Sequence, residues 1–229
     1  MSGIPIEVND LPAAYDPILC EPDTDAAAEA CRLAALGAGE GTLVFVREQD
    51  SRPSRSGSAD FSCALVLRPD DPREVALQLV CVAVVSLGAY IASEVPPLTA
   101  LGYGSRNEVL LGGARLAQVA ATPGPSVEDR YEWLVLGVSL NVGRVTDPAA
   151  AGETSLFAAG VDGAEPAKVL AGFARYFLFW VNRWTDEGFE PVRNAWRSRA
   201  HGAGEPEALS APVSSRPCRL RAGSSPSSR

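Results

Sequence analysis

The chain is 229 residues long, 46% hydrophobic and 21% charged, the proportions of a globular protein of one domain or a compact pair, which exclude wholesale disorder and a fibrous repeat. Its formal charge of −8 repels nucleic acid and anionic membrane surfaces, so neither is expected as a partner. Of the 20 basic residues only Lys168 is a lysine, and His201, at the edge of a polar tail, is the single histidine; a Ser-His-Asp triad, an H-E-x-x-H helix or a His-rich zinc site is therefore not expected. The five cysteines, Cys20, Cys31, Cys63, Cys81 and Cys218, are widely spaced without a C-x-x-C pair and read as reduced, mostly buried side chains of a cytoplasmic protein.

In chain order, residues 1–22 read as an irregular, Pro-containing lead-in without the basic and apolar segments of a signal peptide. Residues 23–37 predict a helix with Asp23 or Asp25 as cap, an Ala-rich body and a glycine stop. The apolar runs 41–46 and 61–67 predict strands on either side of a polar loop. The uncharged run 75–93 is long enough to cross a bilayer, but Gln78, Ser86 and Gly88 and the start signal Asp71-Pro72-Arg73-Glu74 favour a central buried helix capped by Asp71. Two short strands, 108–111 and 115–121, flank Gly112-Gly113 as a tight hairpin, and after a Pro/Gly loop a strand is expected over 133–142. Val169, Phe173, Phe177, Trp180 and Trp184 recur at helical steps, a stripe that belongs to core packing on a helix beginning near Pro166. Phe189-Glu190-Pro191 ends that helix and opens a short last one to about residue 200. Residues 201–229, rich in Ser, Pro, Gly and Arg, carry no periodicity and are expected to be a disordered tail behind a folded domain over 1–200. The fold class expected is α+β, a mixed and mostly antiparallel sheet packed with helices.

Five segments in this order carry a resemblance. N-E-V-L-L-G-G-A-R-L-A at 107–117 is similar to the hairpin W-P-N-D, strand, turn, K-L-A-G of biotin and lipoate protein ligases, with asparagine and basic residue eight apart in both. Asp23-Thr24-Asp25 stands where that family has an S-T-N-like helix start. Residues 41–49 match a strand leading to a glutamine and an Arg/Gly-rich loop, and G-V-S-L-N-V at 137–142 matches G-I-N-x-N. Asp186-Glu187-Gly188-Phe189-Glu190-Pro191 with Trp196 resembles E-G-x-x-P and its downstream tryptophan. The resemblance covers about residues 20–200 and implies the fold shared by class II aminoacyl-tRNA synthetases and biotin ligases.

It also implies a reaction: ATP and Mg²⁺ activate biotin (or lipoate) as an acyl-adenylate, and the acyl group passes to a lysine of a biotin carboxyl carrier or lipoyl-domain protein. Two anions must meet, so cationic or metal screening and a lid that excludes water are required. Carried over by motif, Thr24 and Gln49 would contact the ligand, Arg52 and Arg55 would lie in the closing loop, Asn107 and Asn141 would serve the nucleotide, Glu108 the metal, and Arg115 would stand in the hairpin lysine's place. Read without the resemblance, Thr24 is a helix-start residue, Arg52 and Arg55 are solvated charges, and Asn107 and Arg115 are hairpin residues. Departures are visible too: Ser105-Arg106 replaces Trp-Pro, Gln118 replaces the glycine after K-L-A, the loop has lost glycines and gained Pro53, and the lysine is Arg115. Arginine keeps the charge and can grip an anion with a planar fork, which a compact ammonium does not do. A non-catalytic, cofactor- or partner-binding relative is the alternative, and an ATP-independent octanoyl transferase a further one. No helix-turn-helix is read before the domain, so a repressor role is not expected, and residues 201–229 lack the strand pattern of a C-terminal β-barrel.

Overall fold

The computed structural model describes residues 10–21, 24–46, 61–143, 152–161 and 164–201. Its elements are β1 (Asp16–Cys20), α1 (Ala26–Ala35), β2 (Thr42–Val46), β3 (Phe61–Leu67), α2 (Arg73–Ala76), α3 (Gln78–Glu94), β4 (Leu101–Gly104), β5 (Glu108–Leu111), β6 (Ala114–Pro123), β7 (Ser126–Val127), β8 (Arg130–Tyr131), β9 (Leu134–Leu140), α4 (Pro166–Glu187) and α5 (Glu190–Arg197). Seven strands form one sheet in the order β1-β2-β3-β9-β6-β5-β4, and β7 and β8 form a separate hairpin. Every neighbouring pair is antiparallel except β1 with β2, the mixed, mostly antiparallel sheet expected.

Alternation divides the sheet into two faces. One carries Phe45, Cys63, Leu65, Leu136, Val138 and Val119 into the main core with α3, α4 and α5. The other carries Val44, Ala64, Val66 and Val135 against Ala26, Ala30 and Ala34 of α1. The apolar helix spanning Arg73–Glu94 is largely buried in the protein, as a core helix is. Close approach fixes its neighbours: a Cβ on Gly88 would stand 2.4 Å from the Tyr103 ring, and one on Gly172 would stand 2.2 Å from that of Tyr90. Along α4 the stripe Val169, Phe173, Phe177 and Trp184 is buried, and the Trp184 indole N–H donates to Gln78 Oε1 at 3.0 Å.

Several local expectations are corrected. The lead-in holds β1, since parallel pairing with β2, Ile18 opposite Val44, orders a short stretch that has no pattern of its own. β4 extends the hairpin into a meander, and Tyr103 accepts the His201 N–H at 2.8 Å, so His201 closes onto an edge strand. Asp25, one of the two expected caps, does cap α1, accepting from the Ala27 and Ala28 N–H groups. Asp71 caps nothing. The helix there begins one residue later with Pro72 in the cap position, and the turn between β7 and β8 supplies the partner: Asp129 takes the Arg73 backbone N–H at 2.8 Å and its side chain at 2.8 Å. That hairpin lies where a plain loop was expected. A residue outside the regular run, Leu77, separates α2 from α3.

At the other end of α1, the Arg68 guanidinium donates to the carbonyls of Ala34, Ala38 and Glu132, satisfying helix-end acceptors with a cation that also suits the dipole. Arg68→Ala should cost about 2 kcal/mol, the scale of charged hydrogen bonds, read as a lower urea midpoint at unchanged slope. Burial pushes the thiols of Cys63 and Cys81 from the ordinary 9.0 up to about 12. Both should resist iodoacetamide at pH 8 while half-buried Cys20 and Cys31 are labelled, as peptide mass spectrometry would show; labelling of Cys63 in native protein would contradict this placement.

Candidate functional site

The α1-covered face of the sheet is apolar over only part of its area. Strand register places Ser62 opposite Ser139, Ser139 opposite Gln118, and Gln118 opposite Glu108, so one row of four polar side chains crosses β3, β9, β6 and β5. Helix α1 runs away from this row: Ala27 lies 3.3 Å from the place of a Gly137 Cβ, and the far end of α1 lies beside Glu132, since Arg68 donates to both Ala34 O and Glu132 O. The start of α1, with Thr24 just before its cap, therefore points toward the Ser139 side. A Cβ at Gly137 would make a tight contact there, so glycine eases the approach of the first turn.

Arg115 and Gln118 are three residues apart, and in a regular strand they would point to opposite faces. Between β5 and β6 the register shifts, with Val109 opposite Ala117 but Leu110 opposite Arg115, so Leu116 is an extra residue. This bulge reverses the alternation, buries Leu116 and Ala117 together, and turns Arg115 to the side of Gln118. The result is a cleft lined by Arg115, Leu116, Ala117, Gln118, Ser139, Asn141 and Glu153. The Arg115 guanidinium forms an ion pair with the Glu153 carboxylate. Their backbones are joined as well, Arg115 N–H to Gly152 O at 2.7 Å and Thr154 N–H to Arg115 O at 2.9 Å. Asn141 donates through Nδ2 to Thr154 O at 3.1 Å and exchanges backbone hydrogen bonds with Leu116 and Leu156.

Of the residues expected at the site, Arg115 and Asn141 share this cleft. Glu108 ends the polar row, and Gly104 leaves room for its carboxylate, since a Cβ there would stand 2.6 Å from Oε2. Asn107 holds the tight β4–β5 turn with φ 59° and accepts the Val119 N–H at 3.0 Å. Its Oδ1 is buried without a partner among the described residues. Asn107 does not line the cleft itself. Thr24 precedes the α1 cap and is not among the residues that line the cleft; Gln49, Arg52 and Arg55 lie outside the described residues. Sequence reasoning missed Ser62, Ser139 and Glu153 and saw Gln118 only as a departure. Polar residues at alternate positions of otherwise apolar strands are the signal that finds the first two; Glu153 has none.

The model of the biotin/lipoate A/B protein ligase family matches residues 11–198. The biotin--[acetyl-CoA-carboxylase] ligase of Paracoccus denitrificans is 30% identical over 193 residues, 78% of either chain. The bifunctional ligase/repressor BirA of Bacillus spizizenii is 28% identical over 75% of this chain and 55% of its own length. Among solved structures, a biotin protein ligase-like protein of unknown function from Silicibacter sp. TM1040 superposes with a TM-score of 0.72 at 27% identity, covering 85% of this chain and 82% of that one. The biotin protein ligase of Aquifex aeolicus in complex with biotin and ATP shares the fold, with a TM-score of 0.61 at 19% identity over 81% of this chain and 78% of its own. Extent of match, relatives and architecture agree: this chain belongs to the biotin/lipoate A/B protein ligase family.

Proposed function

We propose that the chain is an ATP-dependent protein ligase that activates a carboxylic acid cofactor, biotin ahead of lipoate, and transfers it to a lysine of a carrier protein, the biotin carboxyl carrier in the first case, in a cytoplasmic, reducing setting. The observation that carries this reading is the single cleft in which the bulge at Leu116 gathers Arg115, Gln118, Ser139 and Asn141. A carboxylate oxygen of the acid attacks the α-phosphorus of ATP, the bond to pyrophosphate breaks, and the acyl-adenylate forms. The neutral lysine amine then attacks the acyl carbon, AMP departs with the anhydride oxygen, and the amine proton passes to solvent. Arg115 screens the two anions from each other, and its fork can hold oxygens of both. Asn141 borders the cleft and is assigned to the nucleotide, as is Asn107 of the neighbouring turn, whose Oδ1 has no partner among the described residues.

Among the described residues no group of three potential metal ligands occurs. Mg²⁺ is ordinarily held by one or two carboxylates with substrate phosphates and water, and the Glu108 carboxylate fits that mode; the ion would neutralise phosphate charge. Thr24 and Gln49 are assigned to the ligand, and Arg52 and Arg55 to the closing loop. The ligase domain is taken as residues 1–200, with 201–229 as a tail.

Purified protein should show biotin-dependent exchange of labelled pyrophosphate into ATP. A non-catalytic relative that binds cofactor or partner is the second reading, favoured by the engagement of Arg115 with Glu153; absence of exchange with biotin, lipoate and octanoate alike would put it first. The octanoyl transferase reading fares worse, since among the described residues no cysteine or lysine lines the cleft and Lys168 pairs with Glu165 on α4.

A further inference from the structure

We infer that Glu153 is a positioning residue for Arg115, fixing the guanidinium so that part of its donor fork faces an anionic ligand in the cleft. The inference rests on the ligase reading for the identity of that anion, but its geometry stands independently. A lysine ammonium needs no orientation, because its three donors rotate freely about one axis; a guanidinium presents its five donors in one plane and binds an anion well only when that plane is aimed. The single ion pair from Arg115 Nη2 to Glu153 leaves other donors of the fork uncommitted to Glu153 and sets the plane.

Glu153 is itself held. Its neighbours Gly152 and Thr154 are hydrogen-bonded to the backbone of Arg115, and Thr154 O is held by the Asn141 side chain. Carboxylate and guanidinium are thus mounted on one bridged pair of segments, and Glu153 is the less exposed partner, 15% against 39% for Arg115. A carboxylate that merely blocked the cleft would have to swing away from a mount pinned on both sides. Held in place, it steers the cation and leaves it able to take a ligand carboxylate or phosphate.

Glu153→Gln, Glu153→Asp and Glu153→Ala separate these roles, with thermal melts confirming that each folds. Calorimetric titration with inorganic pyrophosphate reads the anion site without requiring turnover, and biotin-dependent exchange reads the reaction. Positioning predicts that Gln stays within about fivefold of the parent in pyrophosphate affinity and kcat/KM, because an amide oxygen still accepts the guanidinium N–H. Asp, charged but too short, and Ala should both lose about tenfold to a hundredfold in kcat/KM, the scale of an ångström of misplacement. Tighter pyrophosphate binding in Gln and Ala than in the parent would make Glu153 a competitor of the ligand and overturn the proposal, as would unchanged binding in all three or no binding by the parent. Binding that follows the predicted order without exchange would sink the ligase reading alone. Exchange indifferent to Glu153 would sink the positioning role alone.

Discussion

Arg115→Ala is expected to lower biotin-dependent pyrophosphate exchange by about 10²- to 10³-fold, the loss found when one preorganised donor to developing charge is removed. The proposed reaction would bring a carboxylate against a triphosphate, and among the described residues Arg115 is the cation that lines the cleft. Stability should change little, because the guanidinium is 39% exposed and its Glu153 partner 15%, and a partly exposed pair contributes about 1 kcal/mol. The separation of activity from stability is the check: a melt within a few degrees of the parent together with collapsed exchange. Unchanged exchange would remove Arg115 from the reaction. Arg115→Lys, which restores the residue type of the family's hairpin, is expected to reduce kcat/KM, since Glu153 is placed to hold a guanidinium and a shorter ammonium does not fill the same position. A gain of exchange in Arg115→Lys would mean that arginine is drift in an arginine-rich chain.

The hairpin around Arg115 shows how far the sequence could be followed. Gly112-Gly113 between two apolar runs announces the turn, and both glycines take positive φ, 58° and 84°, as a two-residue hairpin requires. What no periodicity announces is the bulge. Counting alternately along β6 sends Arg115 and Gln118 to opposite faces, and only the register with β5 reverses this. The same holds for β1, whose order comes from a parallel neighbour distant in sequence, and for Glu153, which reaches Arg115 through hydrogen bonds spanning 38 residues. The helices were more legible because their signals are local: the aromatic stripe of α4 and the uncharged body of α3 each occupy one continuous segment. The Asp71 cap failed for the opposite reason. Its local signal was sound, but the Asp129 turn, from another part of the chain, took the N–H it would have received.

Trp196→Ala is expected to destabilise the protein by about 3–5 kcal/mol, the range for removing a buried large aromatic, and so to lower Tm by about 6–20 °C in a chain of this size. The side chain is 1% exposed and stacks on Tyr103 with ring centroids 6.4 Å apart and planes 18° from parallel. Tyr103 in turn lies against Gly88 of α3, so one indole ties α5, the edge strand β4 and the central helix together. Collapse around the gap is limited, because Gly88 and Tyr103 are already in close contact and the helix backbone cannot follow. The Trp196 Nε1 is buried without a partner among the described residues, a cost that phenylalanine does not carry. Trp196→Phe should therefore lose far less than Trp196→Ala. Tyr103 and Trp196 belong to the core on the face packed by α3, α4 and α5, whereas the polar row and cleft lie on the α1 side of the sheet. Exchange by Trp196→Ala, measured well below its Tm, should then stay near the parent value while urea unfolding shifts. Loss of exchange at full folding would instead place this tryptophan, and the E-G-x-x-P segment before it, in communication with the cleft.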